Sequence, residues 1–256
     1  MPSKIRISSH PATSDKDSFS KEVARNIEKL GASRELQEAG MEFLCQSSKL
    51  KYSYNFSWMG LPIIQFPQDI VAMQELLWKV KPDAVVEAGI GRGGSLVFYA
   101  SMMEMMGIQS GEVIGIDIDI RSHNRHAIEQ HPMSKRIRLI EGSSTDSDTV
   151  SRVKACIGSR RQIMVCLDSM HTHAHVLAEL RLYSPLVTSG SYLVVFDTCI
   201  EDMPADFFPD RPWGRGNNPY TAVQEFLKET RDFEADHTIP DKLLITTARS
   251  GYLRKK

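Results

Sequence analysis

The run Val85-Val86-Glu87-Ala88-Gly89-Ile90-Gly91-Arg92-Gly93-Gly94-Ser95 decides how the rest of the chain is read. Its apolar start reads as a buried strand, and the glycines that follow read as a tight turn opening a helix. Such a turn lets a nucleotide-like ligand approach the backbone and sets the ligand's charged groups at a helix N-terminus. Gly89, Gly91 and Gly94 satisfy G-x-G-x-x-G, a spacing that does not by itself name the nucleotide. The identity of the ligand therefore rests on what lies outside the turn.

Working outward, Pro67 followed by Ile70, Met73, Leu77 and Val80 marks a helix with proline in its first turn, which leads into a strand at 84–87. Beyond the glycines, 96–106 reads as a crossover helix. Further strands are expected at 113–117, 137–141, 163–168 and 192–197, with helices at 148–157, 172–183 and 219–230, the last capped by Asn218. This alternation predicts an α/β fold with a largely parallel sheet and helices on both faces. Residues 233–239 and 242–248 read as a terminal hairpin. At the other end, residues 1 to about 18 read as a mobile tail. Residues 18–50 follow as two amphipathic helices broken near Gly31-Ala32-Ser33, forming a helical cap or an oligomer contact. The aromatic stretch 52–60 is expected to pack on the core or to wall a substrate pocket. The segment 198–218, which holds Phe207, Phe208, Trp213 and Arg215, is too long for a plain connection and reads as a mobile lid.

A chain of 256 residues suits one large α/β domain with an N-terminal appendage. With 41% apolar residues, 25% charged residues and a net charge of -1, it offers no general attraction for nucleic acid or anionic membrane, so a small-molecule partner is expected. Cys45, Cys156, Cys166 and Cys199 show no C-x-x-C spacing and read as reduced thiols. No long apolar run and no signal-type apolar segment occur, which predicts a cytoplasmic protein without integral membrane contact.

Four expected strands end in an acid: Glu87, Asp117, Asp168 and Asp197. In a parallel sheet those ends share one rim, where ligands bind. Asp117, 23 residues past Gly94, is placed to accept hydrogen bonds from ribose hydroxyls, with Asp119 as its alternative. Gly142, Ser143 and Ser144, ending the third strand, read either as a structural turn or as the place where an adenine would rest. Asp168 and Asp197 suit a hard divalent cation such as Mg²⁺, although Asp168 alone would also serve as a base or a helix cap. His171 is the preferred general base, since an unperturbed imidazole titrates near neutrality. His171 and His175 lack the glutamate of H-E-x-x-H, because Thr172 stands there, which excludes a zinc-protease reading.

Together, Gln65-Phe66-Pro67-Gln68-Asp69, Glu87 to Ser95, Gly115-Ile116-Asp117-Ile118-Asp119, Asp168 to Val176 and Gly251-Tyr252-Leu253 resemble the cephalosporin hydroxylase family over residues 54–253. The resemblance implies a Rossmann-like class I methyltransferase fold, with a seven-stranded, mostly parallel sheet whose last strand is antiparallel. It implies transfer of a methyl group from S-adenosylmethionine to a hydroxyl of a sugar or natural-product acceptor. Residues 1–66 would then form the N-terminal tail and helical cap or oligomerisation segment, and 67–256 the methyltransferase domain of a homo-oligomer. Glu87, Gly89, Gly91, Gly93, Ser95, Asp117, Asp119, Ser143 and Asp168 would bind the cofactor. Asp168 and His171 would be catalytic. The resemblance also implies a Mg²⁺ site built from Asp168 and an acidic pair after the fifth strand. The first member of that pair is Phe196 here, which leaves Asp168 and Asp197, with Glu201 or Asp202 as compensating ligands. The glycine turn keeps an NAD-dependent oxidoreductase as the alternative enzyme, and Phe196 keeps a non-catalytic cofactor-binding scaffold as the other.

Overall fold

The computed structural model describes residues 13–256. It opens with two helices, α1 (Thr13–Ala32) and α2 (Arg34–Lys49), which separate at Ser33, whose hydroxyl accepts from the N–H of Leu36 and caps α2. The break falls where the sequence places it. However, α1 begins inside the stretch expected to be a tail, and Asp15 in its first turn suits the positive end of the helix dipole. The remainder of that expected tail, residues 1–12, lies outside the described residues.

A short hairpin, β1 (Ser57–Trp58) and β2 (Leu61–Pro62), precedes α3 (Pro67–Val80), which starts at its proline as expected. The main sheet then assembles from β3 (Ala84–Ala88), α4 (Gly94–Met105), β4 (Glu112–Asp117), α5 (Ser122–Glu129), β5 (Ile137–Glu141), α6 (Ser147–Ile157) and β6 (Ile163–Leu167). It continues through α7 (His173–Tyr183), β7 (Tyr192–Val195), α8 (Pro219–Glu229), β8 (Phe233–Ala235), α9 (Thr238–Leu243) and β9 (Tyr252–Lys255). The strand order is β5-β4-β3-β6-β7-β9-β8, with β9 antiparallel to both neighbours and the other pairs parallel. The order reverses between β3 and β6, which sets a crevice beyond their carboxyl ends.

Two hydrophobic cores cover the two faces of the sheet. The pleat divides β3 between them: Val85 joins the core containing α3 and α4, whereas Ala84, Val86 and Ala88 join the one containing α6, α7 and α8. Helix α4 is buried almost throughout, because the β1–β2 hairpin covers its outer side. Trp58 meets Phe98 edge to face at 4.8 Å, and its indole N–H donates to Ser101 Oγ at 2.9 Å. A third, smaller core unites Leu44 and Cys45 of α2 with Phe66, Cys199 and Met203, and Phe207 and Phe208 pack against it. The N-terminal helices are thereby tied to the segment that follows β7.

Two expectations are corrected. The C-terminal hairpin pairs β8 with β9, not with residues 242–248; α9 intervenes, and Leu244 leaves it in a left-handed conformation. The apolar Leu243-Leu244-Ile245 read as strand because alternation cannot be judged over so short a run. Helix α5 was not expected, since its sequence is polar and only Ile128 is buried. Among the described residues the four cysteines are free, and no helix is long and apolar enough to cross a membrane.

Candidate active site

The backbone ladder continues past the strand ends and sets the rim. The N–H of Asp168 donates to the Ala88 carbonyl at 2.8 Å, that of Gly89 to the Ile116 carbonyl at 2.8 Å, and that of Phe196 to the Leu167 carbonyl at 3.0 Å. At Gly89 (φ +89) a Cβ would lie 2.0 Å from the Asp168 carbonyl oxygen, so the turn and the β6 rim pack too closely for any side chain there.

Between these ends opens a cavity of about 460 Å³, a size suited to a small ligand. Glu87, Gly89, Gly91 and Ser95 line one part, and Asp168, His171 and Asp197 line another. Glu87 is buried and accepts a 2.8 Å hydrogen bond from Ser95 Oγ. Burial pushes its carboxyl up to about 8; the Ser95 bond opposes this and the charge of Asp117 adds to it. Asp117, ending β4, accepts from the N–H groups of Ile90 (3.1 Å) and Asp119 (3.2 Å), so it shapes the glycine turn while keeping lone pairs free. Asp119 is exposed, and Ser143 forms a turn with Thr145; both, like Asp117, stand on the adjoining rim outside the cavity wall. Gly93 is turned away from the cavity, since a Cβ there would strike Ile128 of α5 at 2.4 Å. Asn124 Nδ2 also donates to the Gly91 carbonyl at 3.0 Å, so the unexpected helix braces the turn from outside.

On the other side, donor atoms of Asp168, His171 and Asp197 all lie within 4.8 Å of one another. His171 Nε2 stands 3.2 Å from Asp197 Oδ2, and its ring meets Trp213 edge to face at 4.9 Å. Asp197 adopts φ 57, a left-handed conformation that aspartate tolerates better than most side chains. Burial, then the charges of Asp197 and Glu87, hold the Asp168 carboxyl well above the usual carboxylate range. Phe196 is buried in the core and offers no ligand atom. Glu201 and Asp202 are not drawn into the cluster. Glu201 accepts from Gly216 N (2.8 Å) and Asn218 Nδ2 (2.6 Å), and Asp202 lies 3.7 Å from Arg249.

The three histidines part company. His173 pairs with Thr221 and Glu225, and His175 with Ser144 and Glu179; only His171 faces the cavity. The long segment after β7 is fastened at both ends. Besides the Glu201 contacts, Asn217 Oδ1 accepts from the His173 N–H at 3.0 Å, and Gly214 bridges Asn217. Its middle, with Phe207, Phe208 and Arg211, lines the cavity together with Leu44, Ser48 and Lys51.

A glycine turn after β3, a buried acid before it, an acid ending β4 and the order β5-β4-β3-β6-β7-β9-β8 define a class I methyltransferase fold. The family model for rhamnosyl O-methyltransferase/CmcI matches residues 50–256, and the chain belongs to that family. It is an S-adenosylmethionine-dependent O-methyltransferase, which decides against both the dinucleotide and the non-catalytic readings. The rhamnosyl O-methyltransferase of Mycobacterium tuberculosis (strain ATCC 25618 / H37Rv) is 33% identical over 204 residues, covering 77% of each chain. That of Mycobacterium leprae (strain TN) is 32% identical, covering 78% of this chain and 83% of its own. Among solved structures, apo CmcI aligns with TM-score 0.57 and 23% identity over 79% of this chain and 76% of its own. CmcI with Mg and SAM aligns with TM-score 0.55 and 22% identity over 79% and 77%. These two structural likenesses speak to the fold.

Proposed function

We propose that the enzyme methylates a hydroxyl of a sugar or similar polyhydroxylated small molecule, with the acceptor oxygen held at Asp168 and Asp197 beside His171. The observation that carries this reading is the convergence of those three side chains in the same cavity as the glycine turn. Relatives that bear the name rhamnosyl O-methyltransferase support a sugar acceptor.

When bound, S-adenosylmethionine supplies a methyl group made electrophilic by its sulfonium. The chain must align donor and acceptor, remove the hydroxyl proton and keep water out. Glu87 faces the place for the donor's ammonium, Gly89 and Gly91 leave bare backbone beside it, and the free lone pairs of Asp117 serve the ribose, with Asp119 and Ser143 on the adjoining rim. In the tautomer whose Nε2–H donates to Asp197, His171 keeps Nδ1 free to take the proton. The donor set fits Mg²⁺: two carboxylates crowd together without a paired cation, and this ion needs only one or two such ligands beside water. Asp168 and Asp197 would hold it, and it would supply polarisation of the acceptor hydroxyl.

We read residues 13–66 as a cap on the methyltransferase domain that begins at Pro67, because Leu44, Ser48, Lys51, Ser53 and Tyr54 line the cavity mouth. The exposed Phe19 and Val23 of α1 support contact between copies of the chain, which light scattering would check. The free thiols suit a reducing compartment such as the cytoplasm.

Transfer of labelled methyl from S-adenosylmethionine to rhamnosides and other polyols tests the reading. Asp168→Asn should lower turnover by roughly 100-fold or more, in the range of a lost general-base or charge-holding group. Undiminished turnover in that variant would remove Asp168 from the chemistry.

A further inference from the structure

Gln65 is 5% exposed, lines the cavity, and has no hydrogen-bond partner for either Nε2 or Oε1 among the described residues. A buried amide left unpaired is costly, and native folds keep such groups where a ligand completes them. The backbone around it is fixed. Ile63 and Phe66 are buried on either side, the Ile63 N–H donates to the Phe56 carbonyl at 3.0 Å, and Pro67 starts α3. The backbone that carries Gln65 is thus held in place, and the buried amide's hydrogen-bonding capacity is unspent.

Its position selects the ligand part it meets. The segment carrying it runs along the glycine turn: a Cβ on Gly94 would lie 2.3 Å from the Pro62 carbonyl oxygen, and one on Gly91 would lie 3.9 Å from Ile64 Cδ1. Glu87 and Ser95 line the same cavity. The amino-acid end of the methyl donor carries an ammonium and a carboxylate, and a carboxamide offers one acceptor and two donors to match them. Glu87 can receive the ammonium but cannot donate to the carboxylate once ionised.

We propose that Gln65 binds the methionyl end of S-adenosylmethionine, its Nε2 donating to the carboxylate and its Oε1 accepting from the ammonium. This assignment rests on the methyltransferase reading and adds to it a residue outside the glycine turn. It explains why a polar side chain is buried without a partner in the segment that leads into α3.

Isothermal titration of the full chain with S-adenosylhomocysteine and with 5′-methylthioadenosine separates the possibilities, because the second ligand keeps the adenosine and thioether but lacks the amino-acid end. Gln65→Ala should weaken S-adenosylhomocysteine binding roughly tenfold or more and leave 5′-methylthioadenosine unchanged. Gln65→Leu should keep or raise the melting temperature of the ligand-free protein, since it replaces an unpaired buried amide with an apolar side chain. Equal loss for both ligands would overturn the assignment, as would unchanged S-adenosylhomocysteine affinity with a raised acceptor KM. A melting temperature several degrees lower in Gln65→Leu would assign the residue a structural role instead. Wild-type protein that binds neither ligand would overturn the methyltransferase reading itself and this assignment with it.

Discussion

Glu87 meets Ser95 on one side and the cavity on the other, and burial holds its carboxyl up to about 8 against an ordinary 4.5. Between those two values the folded chain binds more protons than the unfolded one, so the ligand-free protein loses stability as pH rises through that window. An ammonium brought against Glu87 favours its ionised form. Binding of S-adenosylhomocysteine at pH 7 should therefore release about one proton, measurable by titration in buffers of different ionisation enthalpy. Glu87→Gln should abolish the release. Phe196 makes the opposite point at the same scale: where the family resemblance expects an acid, the side chain serves the core, and the Asp168 end of the cavity is left with two carboxylates and an imidazole.

At the scale of elements, Gly251 shows how a motif glycine earns its place by packing. A Cβ there would lie 1.8 Å from the Val195 carbonyl oxygen, where the Val195 N–H donates to Gly251 at 2.8 Å as β7 gives way to the site. Gly251→Ala should cost about 2 kcal/mol or more in chemical denaturation, because backbone must move to admit the methyl group. Asp69 ties α3 to the segment before β9, accepting from Thr246, Thr247 and Tyr252 while fully buried. Asp69→Asn turns an amide N–H toward donors, and a loss of about 1–3 kcal/mol is expected by the same measurement. The strands and most helices were legible because their apolar periods are strong, and the rim acids were legible because each stands at the end of such a period. The bracing helix α5 was hidden, since a single buried isoleucine sets no period. Gln65 stood in a quoted motif without a role, because burial without a partner is a property of the folded chain alone. Gly93 was read as a ligand contact from the family resemblance; in the fold its φ of +84 calls for glycine, and its open side meets Ile128, 35 residues away in the chain.

Across the whole molecule, α1 and α2 join different parts of the rest: α1 lies against α9, where Gly31 comes close to Asp241. Most of α1 is exposed, whereas Leu44 and Cys45 of α2 share a core with Phe66, Cys199 and Met203. Removal of residues 1–32 should leave cofactor affinity nearly unchanged, since no residue of α1 lines the cavity, and should lower the melting temperature by uncovering α9. Leu44→Ala should cost about 2–5 kcal/mol and raise the acceptor KM, since that core also lines the cavity. Calorimetry and acceptor titration check both outcomes. The fastening of the 198–218 segment has a further consequence for diversification. Glu201 grips Gly216 and Asn218, and Asn217 grips the start of α7, so the chain between these posts is a loop with fixed ends. Met203, Phe207 and Phe208 are anchored in the third core, so only the exposed positions 204–206 and 209–211 are free to vary: a change of polarity there would alter the edge of the cavity while His171, Asp168 and Asp197 keep their places.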